Sequence, residues 1–414
     1  MRFDTVIIGG GLSGLTAGIR LAEQGRKVAI ISSGQSTLHF FSGSLELLGA
    51  TDAGDVKSPF GAISSLPPTH PYSLIGEEKM RQLAGPAVEL LRRSGLRFEG
   101  GGDTNHCHLT PFGIVKSSWI SLDDCLTFAS PDNFPFKHVG LVNISGYLDF
   151  YPQFLALGLD KMGVRSTALS VTSPQLQAMR KSSTEMRAPN MARVMTPATV
   201  GCIAEFLNEI DAAVEAFIMP AIFGLNDTVA LDDLRSRVRR PVYFIPTMPT
   251  SVPGVRSQIM LRERFKALGG NYLLGDSVTG GEIEGNALRY VTTSNLGEDR
   301  LEADNFILAT GSFLRHGIKA TPSRIYEPIF GLDVVSPADR AVWFSDNFYQ
   351  QQPYMNCGVV NDASFRLSRD GVTVSNLFGI GSVLSGSNPV TLSCGGGVAL
   401  FTALHVADTI LNSK

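Results

Sequence analysis

The stretch Met1-Arg-Phe-Asp-Thr-Val-Ile-Ile-Gly9-Gly-Gly11-Leu-Ser-Gly14-Leu-Thr-Ala-Gly18 decides the fold of this chain. Its apolar run at residues 5–8 predicts a strand, and the apolar positions after Gly14 predict a helix. Between them, Gly9, Gly11 and Gly14 stand in G-x-G-x-x-G register. This spacing allows a tight turn, a close approach of pyrophosphate to the backbone, and close packing of helix on strand. The N-terminus of such a helix offers free N–H groups to phosphates. The stretch therefore predicts a Rossmann-type dinucleotide-binding unit.

The second strand of this unit ends in an unusual residue. Lys27-Val-Ala-Ile-Ile31 is rich in β-branched side chains, as the second strand of a βαβ unit requires. An Asp or Glu at its end normally holds the ribose hydroxyls of an adenosine, but this chain has Ser32 there. A serine gives up roughly 1–3 kcal/mol of charge-assisted hydrogen bonding relative to a carboxylate. An adenosine half is therefore held weakly, held by other groups, or absent.

The composition is that of a globular protein with more than one core. With 414 residues, the chain exceeds the roughly 250–300 at which a single core stops growing, so two domains are expected. The net charge is −3, and no run of Lys or Arg is longer than Arg239-Arg240. These features argue against nucleic acid and against direct binding to anionic lipid.

The sequence also argues against a secretory signal, a membrane span and a metal centre. Asp4 interrupts the first apolar run, and no stretch reaches the ~18 uncharged apolar residues that a span needs. The five cysteines are scattered without a C-x-x-C pair, so they are interpreted as reduced cytosolic thiols. Any iron–sulfur relay must then belong to a partner protein, and we expect a cytoplasmic location.

A second set of signals lies far downstream. Residues 254–268 predict a helix, a strand and hairpin follow over residues 271–294, and residues 304–311 form an apolar strand ending in Ala309-Thr310-Gly311. This order resembles the way flavoprotein disulfide reductases and succinate-dehydrogenase-like proteins complete their nucleotide domain. In those proteins the Ala-Thr-Gly turn lies under the pyrophosphate or the ribityl chain.

The third set of signals lies near the end of the sequence. Residues 376–382 predict a strand ending at Gly381-Ser382, and Gly395-Gly396-Gly397 precede a predicted helix over residues 398–411. In flavoproteins with this arrangement, the N-terminus of the last helix points at the flavin ring and stabilises its reduced anion through the helix dipole. Ser382 stands where an Asp or Glu is usual, so serine replaces a second cofactor-facing acid.

Together these signals predict an α/β fold with a split domain. The expected Rossmann-type flavin-binding domain comprises residues 1–48 and 253–414. Residues 49–252 are expected to form an inserted α+β cap domain that covers the substrate.

Several stretches outside the glycine motifs are similar to one protein family. They comprise residues 35–48, 69–74, 184–193, 219–225, 246–256, 327–334, 381–384 and 394–397. These stretches resemble the B subunit of the anaerobic glycerol-3-phosphate dehydrogenase, and the similarity is spread over the whole chain.

This resemblance implies an activity, a cofactor and partners. The activity is the oxidation of sn-glycerol 3-phosphate to dihydroxyacetone phosphate in glycerol catabolism, with electrons passing to quinone and finally to fumarate or nitrate. The partners are a larger catalytic flavoprotein subunit and a membrane-associated iron–sulfur subunit, which places this chain peripherally on the inner face of the cell membrane. The cofactor implied is FMN, whereas the glycine turn, shaped for a pyrophosphate, favours FAD as the alternative.

Oxidation of a secondary alcohol requires a base for the hydroxyl and cations for the phosphate. His39, in the loop after the second strand, and His316, soon after the Ala-Thr-Gly turn, are the candidate bases. Arg187, Arg193 and Arg256 are the candidate phosphate ligands, because arginine binds phosphate bidentately.

The predicted cofactor-binding residues lie on the glycine turns and on the strand ends that face a flavin in this fold. They are Gly9, Gly10, Gly11, Ser13, Gly14, Ser32, Ser33, Ser42, Gly43, Ser44, Ala309, Thr310, Gly311, Gly381, Ser382, Gly395, Gly396 and Gly397.

The sequence leaves two other functions open. The two serines at positions 32 and 382 favour a flavoprotein fold used for assembly or electron relay, with the alcohol oxidised wholly by a partner subunit. A succinate- or fumarate-type flavin oxidoreductase would need a His and Arg cluster around carboxylates, which Arg187 and Arg193 do not exclude.

Overall fold

The largest sheet of the protein is built around its first strand. The structure, a computed structural model, describes residues 1–182 and 185–413, so Thr184 of the similar stretch 184–193 lies outside the described residues. Eight strands form this sheet, with the first strand paired in parallel on both sides. In order they are Asn271–Leu274, Val28–Ser32, Arg2–Ile8, Leu301–Leu308, Ala287–Thr293 and Val278–Glu284, with Val372–Gly379 paired to Leu301–Leu308 and to Arg366–Arg369.

The centre of this sheet is buried on both faces, as parallel strands require. Val6, Ile7 and the strand Val28–Ser32 are almost fully excluded from solvent. The helix Leu12–Ala22 contacts the helices Val252–Ala267 and Gly395–Asn412. A Cβ on Gly18 would lie 2.7 Å from the Cδ1 atom of Ile30, so the glycine lets the first helix lie close to the sheet.

The inserted segment contains a second sheet and a second hydrophobic core. This sheet has four strands, all parallel, in the order Arg165–Val171, His138–Ile144, Ala216–Pro220 and Val242–Ile245. Its core runs from Leu109 to Val252. Residues 56–122, including Met80 and Trp119, contribute to the core of the large sheet as well. The structure thus confirms the predicted α/β class. The division of the chain at residues 48 and 252 and the role of the inserted segment as a cap over the substrate stay predictions. The main sheet of that segment is parallel rather than of the expected α+β type, because helices connect its strands.

The remaining strands are short and pair locally. Two three-stranded sheets comprise Ser44–Leu45, Ile120–Leu122 and Phe98–Gly100, and Thr127–Phe128, His106–Leu109 and Val115–Ser118. Three strand pairs comprise Ala50–Thr51 with Gly54–Asp55, Lys319–Ala320 with Ile325–Tyr326, and Val334–Val335 with Gly358–Val359. The described residues also form the α-helices Leu12–Ala22, Pro71–Ile75, Glu77–Arg93, Pro152–Lys161, Pro174–Met179, Ala188–Arg193, Pro197–Glu209, Val229–Arg237, Val252–Ala267 and Gly395–Asn412.

One histidine of this fold is buried and caps a helix with its ring. His70 caps the helix Pro71–Ile75, because its Nδ1 accepts a hydrogen bond of 3.1 Å from the backbone N–H of Tyr72. The ring is fully buried, and its Nε2 atom has no hydrogen-bond partner. Burial lowers the pKa of His70 to about 4, so the folded protein keeps this ring neutral.

We predict that acid destabilises the protein through this residue. Between pH 6.5 and pH 4 the unfolded chain binds a proton at His70 that the folded chain does not, so stability falls as the pH drops through this window. In the variant His70→Asn, which keeps an acceptor at the cap, the loss of unfolding free energy between pH 7 and pH 5 should be about 2 kcal/mol smaller. Denaturant unfolding at both pH values measures this difference. An unchanged loss would contradict the assignment.

Candidate functional site

A cavity of about 1030 Å³ opens where the parallel strands of the large sheet end. Its walls include the turn after the first strand, the end of the second strand, the Ala309-Thr310-Gly311 turn and the first residues of the last helix. Ligands of open α/β sheets bind at this position, outside the carboxyl ends of the strands. The three sets of sequence signals therefore meet around one cavity.

The glycine turn forms a cradle on the cavity wall. Gly9 has φ +120°, and a Cβ there would collide with the carbonyl oxygen of Ala309. A Cβ on Gly14 would collide with the carbonyl of Gly9, so both glycines are required by packing. A Cβ on Gly11 would instead have one neighbour, Ser36, at 3.6 Å, and would occupy space in the cavity.

The helix that follows presents its N-terminus to this cradle. Gly11 is the N-cap residue of the helix Leu12–Ala22, no side chain caps it, and its first turn carries no acidic residue. The first N–H groups of a helix need an acceptor, and a phosphate supplies one. The cradle that a Cβ on Gly11 would fill thus fits the pyrophosphate of a dinucleotide.

The end of the second strand has a carboxylate beside it, supplied by a neighbouring segment. Ser32 is 4% exposed, and its hydroxyl donates to the carbonyl of Gly34 at 3.3 Å. Beside it lies Asp276, which lines the cavity and whose backbone N–H donates to the Ser32 carbonyl. Burial raises the pKa of Asp276, but hydrogen bonds from Thr293 and other donors outweigh this and hold it below its ordinary value. The cavity therefore contains a carboxylate close to the serine that replaces the usual acid.

The last helix also directs an uncapped N-terminus toward the cavity. Its N-cap residue, Cys394, makes no side-chain capping hydrogen bond, and Gly395 and Gly396 line the cavity. A Cβ on Gly396 would lie 3.0 Å from the Cβ of Leu45, and one on Gly397 would collide with the hydroxyl of Tyr72. These glycines let the segment after the second strand pack directly on the start of the helix. The helix begins at Gly395 rather than at 398 as predicted, because the glycines form its first turn.

Most of the predicted cofactor-binding residues line this cavity. They are Gly9, Gly10, Gly11, Ser13, Ser32, Ser33, Ser42, Ser44, Ala309, Thr310, Gly311, Ser382, Gly395 and Gly396. The other four predicted residues, Gly14, Gly43, Gly381 and Gly397, are not part of its lining. Gly43 and Gly381 have positive φ values of +91° and +71°, so they shape the turns that carry the lining residues.

The two predicted bases differ in position. His316 lines the cavity, where it adopts a left-handed conformation with φ +61°. His39 is not part of the lining, and its ring interacts with Gln258 of the helix Val252–Ala267. Burial lowers the pKa of His39, and its Nδ1 atom is buried without a partner. The structure therefore does not bring His39 to the cavity as expected, because its ring turns toward this helix.

The three predicted phosphate-binding arginines do not line the cavity either. Arg256 is 2% exposed and bridges the two cores. Its guanidinium donates to the Asp124 carboxylate at 2.7 Å and to the carbonyl oxygens of Phe223 and Gly224. Of the other two, Arg187 pairs with Asp149 at 3.1 Å, and Arg193 donates to Asn190 at 2.7 Å. These three arginines thus do not form the expected clamp, since protein groups already hold their side chains.

Polar residues that the sequence did not single out for a role line the cavity instead. Glu46 is half-buried, and its carboxylate makes no hydrogen bond or ion pair with another residue within 1–182 and 185–413. Burial raises the pKa of Glu46 above its ordinary value, although the nearby Lys116 opposes this effect. An unpaired carboxyl group with a raised pKa in a cavity is typical of a functional acid or base.

The hairpin of strands His106–Leu109 and Val115–Ser118 contributes two more polar groups. His108 and Lys116 are paired across this hairpin, and both residues line the cavity. The Nδ1 atom of His108 lies 2.9 Å from the hydroxyl of Ser118, and burial lowers the pKa of the ring to about 3. His108 is therefore neutral at pH 7, and Lys116 supplies positive charge. A signal for these two residues was available in the sequence. In a hairpin over residues 106–118, His108 and Lys116 stand opposite each other, so both side chains are expected on the same face.

The described part of the chain contains no helix long and apolar enough to cross a membrane. It also contains no group of three or more His, Cys, Asp or Glu side chains that could hold a metal ion.

Comparison with known proteins places the chain in a family. The model of the FAD binding domain family matches residues 4–398. This match does not support the FMN expected from the resemblance, and it indicates a flavin cofactor of the FAD type. Among solved structures, one match is the 3-ketosteroid delta1-dehydrogenase from Sterolibacterium denitrificans. The structural alignment covers 100% of each chain, with 12% sequence identity and a TM-score of 0.44.

Two curated relatives match over their full lengths, and both are named as the B subunit of anaerobic glycerol-3-phosphate dehydrogenase. The protein from Yersinia pestis bv. Antiqua (strain Antiqua) is 41% identical over 418 residues, which cover 100% of this chain and 99% of the relative. The protein from Haemophilus influenzae (strain PittEE) is 36% identical over 433 residues, covering 99% of this chain and 100% of the relative. The chain therefore belongs to the FAD binding domain family and, within it, to the family of the B subunit of anaerobic glycerol-3-phosphate dehydrogenase.

Proposed function

We propose that this chain is an FAD-dependent subunit that oxidises sn-glycerol 3-phosphate to dihydroxyacetone phosphate. The names of its full-length relatives suggest the substrate. The observation that carries the proposal is the cavity itself, which combines a pyrophosphate cradle with the unpaired carboxyl group of Glu46 and with two lysines, Lys116 and Lys319. A phosphorylated secondary alcohol requires such an acid–base group and such a cation.

FAD fits the cavity better than FMN, because FMN has no pyrophosphate. The turn Gly9–Gly11 and the N-terminus of the helix Leu12–Ala22 would hold the pyrophosphate. Gly395 and Gly396 at the start of the last helix would face the flavin ring. When bound, the flavin supplies the acceptor for the hydride of the alcohol carbon.

Glu46 is the proposed proton acceptor for the substrate hydroxyl. It lines the cavity with its carboxylate unpaired, and its raised pKa brings its basicity closer to neutral pH. His108, which is neutral and buried, would hydrogen-bond to the substrate oxygen through Nε2 and orient it. These assignments replace His39 as a base, while His316 remains a second candidate on the cavity wall.

Lys116 is the proposed cation for the substrate phosphate. We predict that Lys116→Gln raises KM by roughly 10- to 150-fold with a smaller effect on kcat, because a charged hydrogen bond contributes about 1.5–3 kcal/mol. Arg187→Gln is the control, since Arg187 lies outside the cavity lining and pairs with Asp149. Steady-state kinetics of the purified complex tests both variants. Equal KM values in Lys116→Gln and wild type would exclude this role.

The proposed electron route leads out of the chain through partner subunits. The relatives are each named as one subunit of a dehydrogenase, which indicates that they work in a multi-subunit complex. We propose that electrons pass to a membrane-associated iron–sulfur partner and then to quinone, with fumarate or nitrate as final acceptor. This chain and a larger catalytic flavoprotein subunit would then lie together at the inner face of the cell membrane.

A second candidate function is electron relay or assembly without substrate oxidation. The observation in its favour is the position of Arg187, Arg193 and Arg256, none of which lines the cavity. Anaerobic mixing of the flavin-loaded chain with sn-glycerol 3-phosphate separates the two functions. Bleaching of the flavin absorbance supports oxidation by this chain. A flavin that dithionite reduces but sn-glycerol 3-phosphate does not would favour the relay function.

A further inference from the structure

Two buried hydroxyls and a histidine form a continuous hydrogen-bonded row that starts at the cavity. Ser44 lines the cavity, and its Oγ lies 2.7 Å from the Oγ of Ser121. The Oγ of Ser121 lies 2.7 Å from the Nε2 atom of His106. Ser44 and Ser121 are 2% and 0% exposed, whereas His106 is half-buried. The row therefore leads from the cavity wall toward the protein surface.

The backbone holds this row in place. The strands Ser44–Leu45 and Ile120–Leu122 pair antiparallel with Ser44 directly opposite Ser121, so the two hydroxyls meet on one face of the sheet. Gly100, with φ +89°, lies beside the imidazole: a Cβ there would collide with the backbone carbonyl oxygen of Trp119 and would lie 3.1 Å from the Cε1 atom of His106. The row thus joins Ser44 to two residues of the inserted segment, of which Ser121 is 77 positions away along the chain.

The hydrogen-bonding capacity of the three groups allows the row to carry a proton outward, since either serine can donate to the other and the His106 ring nitrogen can accept. Each serine hydroxyl can donate one hydrogen bond and accept others, and a neutral imidazole accepts at one nitrogen. With Ser44 donating to Ser121 and Ser121 donating to Nε2 of His106, every proton points away from the cavity. Ser44 Oγ then keeps its acceptor capacity for a proton that comes from the cavity.

We propose that Ser44, Ser121 and His106 form a proton exit path for the alcohol oxidation. This inference rests on the proposed function, in which Glu46 takes the hydroxyl proton. Glu46 stands two positions after Ser44, directly beyond the strand Ser44–Leu45, and both residues line the cavity. Protonated Glu46 passes its proton to Ser44 directly or through one water in the cavity. The Ser44 proton moves to Ser121, the Ser121 proton moves to Nε2 of His106, and His106 releases a proton from Nδ1 to solvent. No electrons move in this step, and the Glu46 carboxylate is regenerated.

The test compares His106→Gln and Ser121→Ala with wild type in the flavin-loaded complex. His138→Gln is a matched control, because the Nε2 atom of His138 also lies at hydrogen-bond distance, 2.8 Å, from a hydroxyl, that of Thr167. His138 belongs to the four-stranded sheet of the inserted segment and does not line the cavity. We expect both relay variants to keep wild-type flavin content and KM, and to lose at least about tenfold in kcat. Added imidazole should restore turnover of His106→Gln and leave His138→Gln unchanged.

The outcomes separate this inference from the proposed function. A wild-type kcat in both relay variants overturns the exit path and leaves the proposed function intact. A lowered kcat that imidazole does not restore assigns the row a structural role and also overturns the path. A wild-type protein whose flavin sn-glycerol 3-phosphate cannot reduce overturns the proposed function, and the path with it, because no hydroxyl proton is then released here.

Discussion

The variant Gly11→Val is expected to fold normally and to lose its flavin. Gly11 has φ −82°, which valine adopts without strain, and a Cβ there would meet Ser36 at an ordinary 3.6 Å. The added side chain projects into the cavity at the N-terminus of the helix Leu12–Ala22, where the pyrophosphate is proposed to bind. Losing two charged hydrogen bonds costs about 3–6 kcal/mol, or roughly 10²- to 10⁴-fold in affinity.

Flavin content after purification and the thermal unfolding midpoint measure this effect. Gly85→Val is the matched control, because Gly85 is exposed on the helix Glu77–Arg93 and a Cβ there has no neighbour within 4 Å. The control should retain flavin at the wild-type level. If Gly11→Val also retained it, the pyrophosphate would not lie on this turn, and the assignment of the whole cavity would fail.

The second large effect is expected from Glu46→Gln. The amide keeps the size of the side chain but cannot accept the substrate proton, so flavin reduction by sn-glycerol 3-phosphate should slow by about 10²- to 10⁴-fold. Flavin content should stay unchanged, because Glu46 does not belong to the pyrophosphate cradle. In wild type the rate should fall as the pH drops through the raised pKa of Glu46, since the protonated carboxyl group is no longer a base.

Anaerobic stopped-flow measurement of flavin absorbance provides both the rate and its pH dependence. Glu298→Gln is the control, since Glu298 is exposed and does not line the cavity. A wild-type rate with an unchanged pH profile in Glu46→Gln would transfer the role of base to another group, such as His316.

The sequence predicted the main strands and helices of the large sheet well, because local sequence patterns determine them. The glycine register at residues 9–14 requires a strand, a turn and a helix in close contact, and the structure has Arg2–Ile8 followed by Leu12–Ala22. Apolar periodicity located the helix Val252–Ala267 and the strand Leu301–Leu308 to within a few residues. Most of the predicted cofactor residues line the cavity, since the ends of neighbouring parallel strands must meet at one edge of the sheet.

The polar groups of the site depend on contacts that no local pattern describes. Arg256 was predicted from its residue type to bind phosphate, yet Asp124, 132 positions away, holds its guanidinium in the interior. His39 follows the second strand as expected, but its ring hydrogen-bonds to Gln258 of the helix Val252–Ala267. An arginine or a histidine can bind a ligand or can pack inside the protein. Which of the two roles it has depends on the residues that contact its side chain in the folded structure.

The sequence by itself determined the α/β class, the split flavin-binding unit, the glycine cradle and the family. Only the tertiary structure decided that Glu46, His108 and Lys116 line the same cavity. Glu46 comes from the loop after the second strand, whereas His108 and Lys116 come from a hairpin of the inserted segment. Their convergence depends on how the inserted segment packs on the large sheet. That packing is set by buried contacts between residues distant in sequence, such as Trp119 with Phe401 at 5.4 Å between ring centroids.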